Sequence, residues 1–228
     1  MRRNITDLAI VLSRVDYQEK DRIITVLTEN HGKLRAIARS VRSSKSRLAG
    51  GIELFAENEL GLAEGRGELH TLTHSRMKRY FGNIAKDTEA TMYAYECLKT
   101  VGKLTPENAG EEYYDDLVRL LTALDAHRIP LDQIRIWYGL KLLKTLGASP
   151  NLTTGPQGKP LSEGGRYQYD FDKHCFYTKP DGPYRADHIK LLRHLSRAGK
   201  PVEVMRLDDE ITGSLQRLTS LLVSSHIK

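Results

Sequence analysis

The chain has 228 residues, with 35 Lys and Arg against 29 Asp and Glu, a formal net charge of +6. Apolar residues make up 39% and charged residues 28%, too apolar for a disordered basic tail and too charged for a membrane protein. No apolar run approaches the length of about 18 residues that a membrane-spanning helix needs, and Met1–Asp7 has no apolar core after it of signal-peptide length. Two cysteines, Cys97 and Cys175, cannot build a disulfide framework, so the expected setting is cytoplasmic and reducing.

The charge is uneven. Residues 1–82 carry net +5, residues 83–147 net −2 and residues 148–228 net +3. Between His31 and Gly51 stand six cations, Lys33, Arg35, Arg39, Arg42, Lys45 and Arg47, and no acid. Ser40–Arg47 has Val41 as its one bulky apolar residue and is expected to be a flexible basic loop. Phosphate is its natural partner, because each phosphate neutralised releases condensed counterions. A solvated loop balanced by acids elsewhere is the plainer alternative.

Residues 7–75 read as β. Leu8–Leu12 is a short apolar run, Arg22–Thr28 is rich in β-branched residues, and Asn30-His31-Gly32 is a turn signal. Lys33–Arg39 alternates polar and apolar, which puts Lys33, Arg35 and, less strictly, Arg39 on one solvent face. Ile52–Leu62 and Glu68–His74 are two further strands joined by a Gly-rich turn. Five short antiparallel strands predict a small closed barrel, the five-stranded oligonucleotide-binding (OB) type first among them. Lys33, Arg35, Arg39, Arg42, Lys45 and Arg47 are the first-rank phosphate contacts. Arg76, Lys78 and Arg79, at the end of the last strand, are second-rank.

After Phe81 the period becomes helical. Ala90, Ala94, Cys97, Leu98 and Val101 form one stripe; Tyr113, Leu117, Leu120, Leu121 and Leu124 form another. Leu131–Leu146 is apolar on most sides and predicts a central buried helix ended by Gly147. Pro150–Tyr184 is broken by Gly, Pro and Ser, with a short hairpin expected at Tyr167–Phe171 and Cys175–Tyr177. Helices resume at about Ala186–Ala198 and Asp208–Ser225. The fold class is therefore α+β: an N-terminal OB barrel over residues 1–82, then a helical domain over 83–228 with an insert at about 148–184.

The inventory of catalytic motifs is thin. Gly155-Pro156-Gln157-Gly158-Lys159 is only an echo of a phosphate loop, and Gly-x-Ser-x-Gly is absent. Asp16, Glu19 and Asp21 cluster in sequence, but Lys20 and Arg22 interleave them, so a charged turn outweighs a metal site. Of the eight histidines only His70 and His74 stand as His-x-x-x-His, and they fall in an expected strand, where residues four apart lie about 13 Å from each other, too far to share a metal. No enzyme is expected.

Asp16-Tyr17-Gln18-Glu19-Lys20-Asp21, the following strand, His31-Gly32-Lys33-Leu34-Arg35-Ala36-Ile37-Ala38-Arg39, and then Ile52-Glu53-Leu54-Phe55 together resemble the bacterial DNA repair protein RecO family. Gly65-Arg66-Gly67-Glu68-Leu69 is similar to that family's G-R-G-E-L turn. The run Leu140–Gly147 resembles its central helix, and Ser149-Pro150-Asn151-Leu152 and Pro160-Leu161 follow in the family's order. The likeness spans roughly residues 7–195 and is most specific at the N-terminal end.

The resemblance implies an OB barrel and a helical domain in a recombination mediator that binds single- and double-stranded DNA and anneals complementary strands. It implies work with RecR and with the acidic C-terminal tail of single-stranded DNA-binding protein, and indirectly with RecA, in the bacterial cytoplasm at the nucleoid. An acidic tail needs an apolar groove rimmed by cations. Arg119, Arg135, Lys141 and Lys144 stand beside apolar stripes, with Arg135 the first choice. Many family members carry a zinc ribbon after the central helix. Its four cysteine positions fall here on Gly155, Gly158, Cys175 and the neighbourhood of Thr178. One thiolate cannot hold tetrahedral zinc, so no zinc or other cofactor is expected. Tyr167, Tyr169, Phe171, Phe176 and Tyr177 are expected to hold the insert by packing.

Two other classes fit the same residues. One is a helical adaptor whose basic barrel binds acidic protein partners. The other is a metal-dependent nuclease at Asp16, Glu19 and Asp21.

Overall fold

The computed structural model describes residues 4–65, 67, 69–202, 204 and 208–227. Met1–Arg3, and Arg66 and Glu68 of the family-like turn, lie outside the described residues.

Five strands close into a barrel in the order β1-β2-β3-β5-β4. They are β1 (Asn4–Tyr17), β2 (Asp21–Thr28), β3 (Gly32–Ala38), β4 (Ala56–Ala63) and β5 (Leu69–Tyr80). β1 serves two neighbours: Asn4–Ile10 pair with β4 and Ala9–Tyr17 with β2. Val11 faces Val26 and Ser13 faces Thr25, so Leu12 is an extra residue, a bulge that bends the strand between its two partners. A short parallel pairing, Arg35–Ile37 with Leu69–Thr71, closes the ring. The interior is Ala9, Val11, Ile24, Val26, Leu34, Ala36, Ala38, Leu60, Leu62 and Leu72. The alanines mix with larger residues to fit a narrow taper. Each fully buried Val, Leu or Ile contributes about 1.5–3 kcal/mol.

β1 and β5 are longer than their apolar runs suggest, because their outer halves carry Arg14-Val15-Asp16-Tyr17 and Ser75–Tyr80, too polar to read as strand. Ile52–Phe55 is not strand. Ile52 turns inward and is fully buried, and Phe55 sits in the left-handed region at φ 57°. The β2–β3 turn needs Gly32: its φ is +66° and a Cβ there would stand 2.4 Å from the Ala109 carbonyl oxygen.

Two helices follow, α1 (Thr88–Leu104) and α2 (Tyr114–Ala126). Asp87 caps α1 by accepting from the Ala90 N–H at 3.1 Å. The expected stripe Ala90, Ala94, Cys97, Leu98 and Val101 is the buried face of α1, and Leu117, Leu120, Leu121 and Leu124 lie on that of α2. By packing, both helices belong with the barrel: one compact unit runs to Ala126 and a second starts at His127. The barrel strands themselves end at Tyr80.

The second unit is built on α3 (Leu131–Thr145), buried on most sides, with α4 (Ala186–Arg197) and α5 (Asp209–Ser224) packed against it. α3 ends in a paired cap: Gly147, at φ +70°, donates to the Lys144 carbonyl and Ala148 donates to that of Leu143. The insert is a three-stranded sheet, β7-β6-β8, of β6 (Arg166–Asp170), β7 (Cys175–Thr178) and β8 (Tyr184–Arg185).

The donor set in this insert does not fit zinc. Gly155 and Gly158 offer no side chain, and a Cβ on Gly155 would stand 3.2 Å from the Phe176 carbonyl oxygen. Cys175 is buried in the sheet, and burial pushes its thiol pKa up, away from the thiolate that a metal requires. Aromatic edges hold the sheet instead. Tyr169 meets Phe176 at 5.0 Å and Phe176 meets Tyr184 at 5.4 Å, while the buried Tyr167 donates its hydroxyl to the Ser162 carbonyl. Phe171 packs on Tyr169 with about half of its surface exposed.

Candidate nucleic-acid interface

The six cations from Lys33 to Arg47 have three different fates. Lys33 is buried. Its ammonium donates to the carbonyl oxygens of Gly102 and Thr105, at the C-terminal end of α1, and pairs with Glu107 at 3.4 Å. The backbone explains the position. β5 joins β3 only from Arg35 onward, and the vacant edge at Lys33 is taken by residues 107–109. Lys33 N–H donates to Ala109 O, and Asn108 N–H donates to Lys33 O, both at 2.8 Å. Alternation put Lys33 on the outer face correctly, but that part of the face is covered, which removes Lys33 from the groups open to phosphate.

Arg42 is half engaged. It lies 3.5 Å from Asp16, which also accepts from Arg22 at 2.8 Å. The Arg22 hydrogen bond, helped by Arg42, holds the Asp16 carboxyl below its ordinary range. The segment around Arg42 is a chain of turns rather than a free loop. Val41 is buried in the barrel, Ser40 N–H donates to Asp21 at 2.7 Å, Arg42 N–H donates to Lys20 O, and Ser46 N–H donates to Ser43 O. Two of the three acids that raised the metal alternative, Asp16 and Asp21, are thus engaged with this segment. Among the described residues no three His, Cys, Asp or Glu side chains gather as a metal-ligand group.

Arg35, Arg39, Lys45 and Arg47 are exposed and have no ion pair among the described residues. On β3 the outward row beside them is uncharged: Thr25 and Leu69 flank Arg35, and Ile23 and Thr71 flank Ile37. Val15 and Tyr17, further along the outer side of β1, are 60% and 42% exposed. This face presents unpaired guanidinium groups next to apolar and aromatic surface, the composition that takes single-stranded nucleic acid.

The second-rank cations differ. Lys78 pairs with Glu59 at 2.8 Å and holds that carboxyl below its ordinary range. Arg79 lies over the Phe81 ring, 4.6 Å from its centre. Arg76 is exposed and faces Glu59 across the sheet. Of the barrel-region aromatics, Tyr17 and Tyr80 are exposed, whereas Phe55 and Phe81 are core. Sequence reasoning missed Tyr95 and Lys99. They sit one helical turn apart on α1 beside the β3 face, and an i, i+4 pair of an aromatic and a cation was their only signal.

In the second unit, Arg135 is engaged by Asp132 at 3.3 Å. A separate groove of about 530 Å³ lies where α3 ends. Its walls are Leu140, Pro150 and Leu152, and its cations Lys141, Lys144 and Arg197. Lys141 also lies over the Trp137 ring.

A closed five-stranded barrel with a basic outer face, followed by helices, defines the class: an OB-type barrel joined to a helical part. Residues 1–81 match the family model for the recombination protein O N terminal, and residues 85–228 match that for the recombination protein O C terminal. The chain belongs to the recombination protein O family. Relatives named DNA repair protein RecO include one from Desulfatibacillum aliphaticivorans, 32% identical over 65% of this chain and 58% of the relative. Another, from Roseiflexus sp. (strain RS-1), is 39% identical over 63% of this chain and 50% of the relative. A third, from Bifidobacterium adolescentis, is 34% identical over 68% of this chain and 65% of the relative. The matched part thus spans about half to two thirds of these relatives. Among the described residues no helix is long and apolar enough to cross a membrane.

Proposed function

We propose that this protein is a DNA repair and recombination mediator that acts by binding, without catalysis. It holds single- and double-stranded DNA on the barrel and brings complementary strands together. The observation that carries the reading is the set Arg35, Arg39, Lys45 and Arg47, exposed and unpaired on one face and its adjoining turns. Annealing requires the phosphate charge of two strands to be screened while their bases stay accessible. Cations beside an uncharged, partly apolar face do this without reading sequence. Arg42 and Arg76 add to the field in spite of their acids, Lys78 and Arg79 contribute less, and Lys33 contributes nothing directly.

The test is annealing of complementary oligonucleotides at two salt concentrations, with the wild type and with Arg35, Arg39, Lys45 and Arg47 changed together to Ala. The variant is expected to anneal slowly. Its salt slope on single strands should flatten by about 0.7 for each phosphate that is no longer neutralised. Wild-type affinity and slope in the variant would refute the assignment.

Partner binding is a second layer of the proposal. The groove at the end of α3 combines apolar walls with Lys144 and Arg197, and suits an acidic peptide with an apolar end, such as the tail of single-stranded DNA-binding protein. RecR and, through it, RecA are the other expected partners. A labelled tail peptide should lose about tenfold in affinity on Lys144→Ala with Arg197→Ala, since two such exposed charges at about 0.7 kcal/mol each sum to about 1.4 kcal/mol. Arg135→Ala should leave it unchanged, and the reverse pattern would move the site to Arg135.

A further inference from the structure

A cleft of about 620 Å³ lies between the outer face of the barrel and α1. Its walls come from three strands, α1 and the connecting segments at Leu54 and Glu107. Leu12, Leu54 and Leu98 make them apolar. Ser13 and Thr25, paired across β1 and β2, contribute two hydroxyl groups. Tyr95 lines the cleft and is 49% exposed, and its ring is braced edge-on by buried Phe55, with centres 4.8 Å apart at 67°. Phe55 holds this position from a left-handed backbone conformation, φ 57°, which a bulky residue rarely adopts.

The charges in the cleft are unequal. Arg14 is neutralised by Glu53 at 2.8 Å, and Lys33 and Glu107 satisfy each other. That leaves Arg35 from β3 and Lys99 from α1 with no ion pair among the described residues. The cleft is therefore net cationic, has an exposed aromatic face braced from behind, and is lined by apolar groups with two hydroxyls. A planar apolar group joined to an anion fits this description. The volume lies within the range of about 300–1,000 Å³ typical of small-molecule sites, suited to a single nucleotide and closed to a base pair still stacked in a duplex.

We propose that this cleft is a seat for one unstacked nucleotide of single-stranded DNA. The base lies against Tyr95, and the flanking phosphates rest on Arg35 and Lys99. This deepens the DNA-binding reading and depends on it. Ser13 and Thr25 can each donate or accept, so the seat takes any base. It lies next to the β3 face, with Arg35 common to both. It also gives the protein a means of telling single strands from duplex that the phosphate contacts alone lack. A duplex offers more charge but no free base.

The test is equilibrium binding by the full chain to three probes: oligo-dT, an abasic strand of the same length and charge, and a duplex, whose charge density is higher. The variants are Tyr95→Ala, Tyr95→Phe and Lys99→Ala. Stacking of one base is worth about tenfold in affinity, within the known range for base–aromatic contacts. Tyr95→Ala is expected to weaken oligo-dT binding by that factor with an unchanged salt slope, and to leave the abasic strand and the duplex as in the wild type. Tyr95→Phe keeps the ring and should bind as the wild type, which also shows that Phe55 packing survives. Lys99→Ala should flatten the slope on oligo-dT. A Tyr95→Ala variant that binds oligo-dT normally, or that weakens all three probes alike, overturns the seat and leaves the β3 face standing. A wild-type chain that binds none of the probes overturns the DNA-binding reading and the seat together.

Discussion

β3 and β5 are the two basic strands of the barrel, and they use their cations differently. Each brings at least two into a short stretch: Lys33 and Arg35 on β3, Arg76, Lys78 and Arg79 on β5. The difference lies in the strand alongside. β5 is paired with β4, which carries Glu57 and Glu59 opposite Arg79 and Arg76. One of these acids takes Lys78, and Arg79 turns onto Phe81. Around Arg35 the neighbours are Thr25 and Leu69. Equal charge in the sequence becomes unequal charge in the fold, because cross-strand pairing decides which cations meet an acid. A basic strand is a candidate interface only when its neighbours leave it unpaired.

The sharpest contrast is within β3 itself, between Lys33 and Arg35. Lys33→Ala would leave Gly102 and Thr105 carbonyls without their donor and Glu107 without its cation, in a covered position. Removing one partner from a largely buried, hydrogen-bonded charge pair costs about 3 kcal/mol. A denaturant melt should show that loss, while the salt slope for DNA stays at the wild-type value. Arg35→Ala should do the opposite: stability within about 0.5 kcal/mol of wild type, as for exposed substitutions, and a flatter salt slope. Equal effects of the two substitutions on the slope would erase the contrast and return Lys33 to the interface.

Much of the fold is readable from the sequence, because the barrel interior and the helical faces are repeated signals. Ala36 and Ala38 alternate with Arg35 and Ile37, and Ala90, Ala94, Cys97 and Leu98 recur at helical spacing. The outer halves of β1 and β5 were hidden because strands exposed on both sides lose their alternation. At the interface the cations are legible and their partners are not. Nothing local in Lys33-Leu34-Arg35 says that residues 102–107 will cover one cation and leave the other open, for that depends on groups about 70 residues away. Ser40–Arg47 looked free because its ties, to Lys20, Asp21 and the barrel core, are also non-local. Tyr95 and Lys99 looked like ordinary helix surface for the same reason.

The smaller effects belong to β5, and they test whether pairing alone separates it from β3. Lys78 donates to Glu59, and this bond is the main reason that the Glu59 carboxyl is held below its ordinary range. The sign follows from linkage. A lowered carboxyl pKa means that the pairing is present above the ordinary value of 4.5 and is lost as pH falls through the folded value. At neutral pH the pair is therefore intact, and Lys78 is withheld from phosphate. Glu59→Gln removes the acid without changing the shape of the side chain. Lys78, Arg76 and His74 would then face solvent without a counter-charge from Glu59. DNA affinity should rise by about twofold to fivefold at low salt, the modest scale of an exposed ion pair, and the salt slope should steepen. Lys78→Ala in the wild-type background should change neither by much, because the charge it removes is already committed to Glu59. If Lys78→Ala alone weakens binding as strongly as Arg35→Ala does, cross-strand neutralisation is not what distinguishes the two strands, and the DNA path must include the end of β5.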